Sequence, residues 1–118
     1  AVSRLNSLSI DTGGKLDIND NSMVIDYAPT TPANVQAALN AIRTAVLQGR
    51  GGAGVGAGTW TGNGITSSSA AAANALNPES RSVGYADNGT LPLGPYTNWR
   101  GQSVDTSSFL IGWPFGPM

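Results

Sequence analysis

The sequence predicts a mainly β fold with one amphipathic helix. Its short strands form a β-helix-like coil or a small sheet, and helix 32–48 packs across them. Three observations predict it. Within residues 5–27, apolar and polar residues alternate in short runs separated by Asx- and Gly-rich turns, the period-two pattern of half-buried strands. Within 32–48, apolar residues recur instead at helical spacing. Sixteen glycines and seven prolines in 118 residues punctuate the rest and leave room only for short elements. A chain of this length supports one modest core, so a single module over 1–118 is expected.

The strand residues are Leu8 and Ile10, then Leu16 and Ile18, then Met23, Ile25 and Tyr27. They alternate with Ser9, Asp17, Val24 and Asp26. The connections Asp11-Thr12-Gly13-Gly14 and Asn19-Asp20-Asn21-Ser22 use residues that accept positive φ or bond their own backbone. The spacing suits either an antiparallel meander or three sides of one triangular parallel coil, and does not choose between them. In the helix, Thr31 caps, Pro32 takes the first helical position and Gly49 follows the last turn. Val35, Ala38, Leu39, Ile42, Ala45 and Val46 form its apolar stripe, with Gln36, Asn40, Arg43 and Thr44 opposite. The Gly-rich stretch 50–58 reads as a loop, and the small-residue segment 66–77 as a short helix. Strands within 82–113 follow, Ser82–Ala86 and Val104–Trp113, with Pro92, Gly94 and Pro95 breaking the chain between them.

Composition excludes several functions. The chain has no His and no Cys, which removes Ser-His-Asp triads, thiol nucleophiles, His-containing zinc sites and thiolate clusters. Charged residues make up 11% and net charge is −1, so nucleic acid finds no basic footprint. No apolar run is long enough to insert into a membrane. Scarce lysine and abundant hydroxyl and amide side chains fit an extracellular or cell-surface location. Ala1 in place of Met fits a processed product or an excised fragment.

Candidate chemical motifs have plainer explanations. Gly49–Gly54 matches G-x-G-x-x-G, yet a helix precedes it and no strand does, so no cofactor is expected. Asp17, Asn19 and Asn21 imitate the start of a calcium loop, but Ser22 and Ala28 stand where Gly and Glu are needed, so no metal is expected. Asp11, Asp17, Asp20, Asp26, Glu79, Asp87 and Asp105 read as surface carboxylates. Trp60, Trp99 and Tyr96 are the candidates for an exposed sugar-stacking surface, against a core role for the tryptophans. Asn88-Gly89-Thr90 is a glycosylation sequon that also makes a good turn.

Four segments occur together in a recurrent order. They are Asn6–Ile10, Lys15–Tyr27, Trp60-Thr61-Gly62-Asn63-Gly64-Ile65 and Ser82–Asp87. In combination they resemble the C-terminal module of large secreted β-helix (autotransporter-repeat-like) proteins of environmental bacteria, usually followed by a dockerin-like segment. The resemblance implies a module that follows solenoid repeats, and implies no catalytic residues. The ending Gly112–Met118 departs from that pattern, as does the glycine loop.

The expected role is therefore a non-catalytic structural module that caps a β-solenoid or self-assembles into a surface or filamentous structure. Its partners would be copies of itself or a parent solenoid chain. The assembly edges would be Val2, Leu5, Leu8 and Ile10 at one end, and Val104, Phe109, Ile111 and Trp113 at the other. Binding of polysaccharide is the alternative, and a small enzyme the third.

Overall fold

The computed structural model describes residues 2–10, 13–51, 58–76, 81–91 and 95–115, with Phe115 described for its backbone alone. In chain order the elements are β1 Val2–Leu5, β2 Lys15–Asp17, β3 Ser22–Asp26, α1 Pro32–Arg50 and β4 Gly64–Thr66. They continue as α2 Ser68–Leu76, β5 Ser82–Asp87, β6 Asn98–Trp99, β7 Gln102–Ser103 and β8 Ser108–Phe115. Among the described residues strand accounts for about 33% and helix for 29%, in mixed sheets with two helices and no closed solenoid. The expectation of a mainly β chain with one amphipathic helix holds in part: α1 and the short strands are present, and the short helix expected within 66–77 forms as α2, so that helix nearly equals strand.

Helix α1 starts as its sequence requires. The Thr31 hydroxyl accepts the Asn34 N–H, Pro32 occupies the first turn, and Gly51 at φ 97 closes the other end. The helix runs two residues past the expected 48. Ile42 and Val46 are buried, Val35, Leu39 and Ala45 half-buried, and Ala38 exposed, so the stripe is seated mainly through its C-terminal half. Glycine makes this seating possible. A Cβ at Gly49 would overlap the Ile65 carbonyl oxygen outright and lie 3.1 Å from Thr66 Cα.

The main sheet has the order β1-β3-β8-β5, and β2 pairs with β4 in a second sheet. β1 runs parallel to β3 and β2 parallel to β4, whereas β8 is antiparallel to both β3 and β5. Of the two arrangements that the spacing over 5–27 leaves open, the antiparallel meander is absent among the described residues and the pairing of β1 with β3 is parallel. Residues 6–10 form no strand, although Leu8 and Ile10 do turn toward the core.

Both faces of the main sheet are covered. One packs Met23, Ile25, Phe109 and Ile111 against Ile42 and Ile65. The other holds Val24 and Leu110 under Trp99 and Val104. Val24 was expected on an outward face. The β6–β7 hairpin covers it, turning through Arg100 and Gly101 at φ 51 and 87 as a two-residue hairpin demands. Arg100 fastens that hairpin by donating to the Ser22 hydroxyl at 2.6 Å and the Trp113 carbonyl at 2.7 Å.

Candidate interaction surface

Among the described residues β1 and β5 end the main sheet, and β2 and β4 each have one partner. The unpaired edges of β1 and β2 form one of the open faces. Between them, residues 7–10 make no hydrogen bond to any described residue. Extended backbone with unused N–H and C=O groups is a template for strand addition.

Charge does not guard these edges. Arg4 on β1 turns to its neighbour β3, bridging Asp26 at 3.3 Å and donating to the Ser103 carbonyl at 2.9 Å. Lys15 on β2 turns to the Thr61 carbonyl at 3.4 Å. Beside this surface an apolar groove of about 300 Å³ opens between residues 6–10 and α1. Leu8, Ile10, Ala38 and Ala41 form its walls, and it reaches Ile25 and Phe109. The small alanines on the outer turns of α1 leave this gap.

The predicted assembly residues divide accordingly. Val2, Leu5, Leu8 and Ile10 lie half-buried along the open segment. The other set is corrected: β8 is an interior strand with a partner on each side, so it offers no edge. Phe109 and Ile111 are buried on it, Val104 is buried beneath the hairpin, and Trp113 is half-buried. Pro114, of a residue type usually confined to edge strands, falls in an irregularity where pairing steps from Gly84–Gly112 to Ser82–Phe115, so its missing N–H costs no ladder bond.

The sugar platform is corrected as well. Trp60 is 2% exposed and Trp99 9%, leaving Tyr96, at 52%, as the one exposed member of that set. Trp60 marks where the chain returns from the glycine loop. It holds φ 57, its N–H points to the Arg50 carbonyl, and its own carbonyl accepts from Thr66. The Trp99 ring finds its stacking partner inside the chain, with the Arg100 guanidinium 4.9 Å from the ring centroid.

Besides Asp26, three carboxylates among the described residues, Asp17, Asp87 and Asp105, have local structural work. The Asp17 carboxylate accepts the N–H groups of Asn19 and Ser68, making an Asx turn and capping α2. Burial pushes its pKa up, but the Ser68 and Asn19 N–H bonds outweigh this and the net direction is down from 3.8. Asp87, buried, accepts from the Tyr27 hydroxyl at 3.1 Å and from the Gly89 N–H. Burial, then the Asp87 charge, raises the Tyr27 pKa to about 12. Asp105 caps the turn before β8 through Ser107 and Ser108. Asp11, Glu79, Pro92 and Gly94 lie outside the described residues, as do 52–57 of the glycine loop. No group of three or more potential ligands that could hold a metal occurs among the described residues.

Asn88 is fully buried. Its amide donates to the Tyr96 and Asp105 carbonyls at 3.0 and 2.6 Å and accepts the Tyr96 N–H, so the sequon nitrogen is enclosed in the fold. Gly49 and Arg50 of the G-x-G-x-x-G match are the last residues of α1, the negative pole of a helix and the wrong end for a phosphate. No described helix is long and apolar enough to cross a membrane. Comparison with protein-family models, curated proteins and solved structures finds no match.

Proposed function

We propose that this chain is a non-catalytic structural module, extracellular or on a cell surface, that ends a β-solenoid or assembles with copies of itself by strand addition. The observation that carries this reading is the parallel stacking of β1 on β3 and β2 on β4, with the outer edges of β1 and β2 unpaired among the described residues. Parallel pairing of strands on two sides of one core is the arrangement from which solenoid coils are built. Antiparallel β8 against β3 ends that stacking on the far side. The resemblance read from the sequence of residues 6–10, 15–27, 60–65 and 82–87, to modules that follow solenoid repeats, points the same way.

The test is sedimentation of the unmodified chain over a wide concentration range, beside Ser3→Lys. Ser3 is exposed and sits opposite Met23 on the core-facing side of β1, so its lysine is solvated in the free chain and buried once a strand is added. Association that Ser3→Lys abolishes, with circular dichroism unchanged, supports self-assembly. Concentration-independent monomers up to hundreds of micromolar overturn it.

A further inference from the structure

Strand register specifies the partner more closely than an open edge does. Val2 lies opposite Ser22 and Leu5 opposite Ile25, an offset of 20 residues. Lys15 lies opposite Gly64 and Leu16 opposite Ile65, an offset of 49. The first coil therefore occupies residues 2–21, and the second repeats it with 29 further residues inside. Those residues fall between β3 and β4, where α1 leaves the coil and residues 58–64 rejoin it. The return is sealed by Gly58 N–H to the Arg50 carbonyl, Gly62 N–H to the Gly49 carbonyl and Gly64 N–H to the Gly14 carbonyl. In the second coil α1 thus follows β3 where residues 6–10 follow β1 in the first.

The uninterrupted first coil has an unpaired edge on both of its strands among the described residues, whereas in the second coil β8 covers β3. We infer that this face accepts one more parallel coil of 20-residue period, running in the same chain direction, with strands that start 13 residues apart to match Val2 and Lys15. Apolar residues of that coil would stack on Leu5, Leu8, Ile10, Leu16 and Ile18, all packed in or against the main core. Its backbone would pair with the outer edges of β1 and β2 and with the backbone groups of 7–10. Arg4 and Lys15, turned toward their existing neighbours, leave the path clear. The inference rests on the structural-module reading and names the partner by period, direction and strand spacing.

The experiment appends a second copy of residues 2–21 directly before Val2 of the full chain. The controls are a shuffled copy of equal composition, and the true copy combined with Ser3→Lys in the chain's own β1. The true copy is expected to raise the melting temperature by several degrees and slow amide exchange in β1 and β2 at least tenfold. Neither control should do so. A copy that exchanges freely and leaves the melting temperature at that of the shuffled control overturns the inference, as does a gain that the shuffled copy shares. The outcomes separate from self-assembly. A monomeric parent whose added copy orders keeps the docking face and removes self-association; an associating parent whose copy stays unprotected does the reverse.

Discussion

Gly49→Ala opposes two effects whose signs differ. Glycine near the end of α1 has a lower helix propensity than alanine, and at a solvent-facing site the substitution would stabilise by at most about 1 kcal/mol. At Gly49 the new methyl overlaps the Ile65 carbonyl oxygen and comes within 3.1 Å of Thr66 Cα. Neither is the yielding end of a side chain. Ile65 is bound into β4, which is paired with β2, so relief requires lifting the helix from the strand. The two reciprocal contacts have the same character, since a Cβ at Gly62 or Gly64 would run into the Gln48 or Ala45 carbonyl of α1. Lifting the helix also loosens Ile42 and Val46, buried in the main core. Overpacking costs about 1–3 kcal/mol and more when backbone must move, so the steric term wins. A net loss of about 3 kcal/mol is expected, on the order of 10 °C in melting temperature at this size. Gly13→Ala is the control, because its Cβ would meet nothing within 4 Å and only its φ of 81 is unfavourable, at about 1 kcal/mol. Paired thermal and urea unfolding reads both. Gly49→Ala as stable as the parent would refute the seating of α1 on β4.

Other substitutions probe the same helix and the two shifted groups. Ile42→Ala should cost about 2–4 kcal/mol and Leu39→Ala about half that, since Leu39 is only half-buried, while Gln36→Ala and Asn40→Ala stay within about 0.5 kcal/mol in urea melts. Tyr27 has a folded pKa raised from 10.0 to about 12, so its contribution is complete below pH 10 and is lost as pH climbs toward 12. Tyr27→Phe should flatten that alkaline loss of stability. Asp17 has a folded pKa below 3.8, so its contribution is present above that pH and disappears as acid protonates the folded carboxyl. Amide exchange at Ser68 should accelerate there, and Asp17→Asn should remove that pH dependence.

Helix α1 was legible because cap, proline and stripe are all local to its own residues. What escaped was decided by distant segments. Val24 reads as an outward residue until the 98–103 hairpin folds over it, and that hairpin is hard to see because Arg100 holds the positive φ that Asn or Gly usually supplies. Trp60 is weighed in the sequence between a sugar platform and the core, and at 2% exposure, with its N–H directed to the Arg50 carbonyl, it is a core residue. The segment Val104–Trp113 reads as an assembly edge, whereas β8 lies between β3 and β5 and the pairing irregularity absorbs Pro114 inside the sheet. The parallel register was hidden for a related reason. The 20-residue spacing occurs once intact, between β1 and β3, and its second occurrence is split by α1 and the glycine loop.

The same asymmetry limits how copies of this chain can meet. With β8 interior, the second of the two predicted edges falls away and the β1–β2 face is what remains of them, while β5 ends the sheet on the opposite side. Two identical edges can face each other across a two-fold axis in two ways. An axis along the strands keeps β1 parallel to its copy but sets the two cores on opposite sides, so β2 gains no partner. An axis normal to the sheet keeps the cores on one side and lets β1 meet β1 and β2 meet β2, necessarily antiparallel. Such an interface is self-complementary and closes on itself. Association of the unmodified chain through this face should therefore stop at a dimer, while parallel stacking is left to a coil supplied by another sequence. Sedimentation equilibrium distinguishes the two: a monomer–dimer fit across the full concentration range is expected, and growth beyond the dimer would show that a second edge takes part.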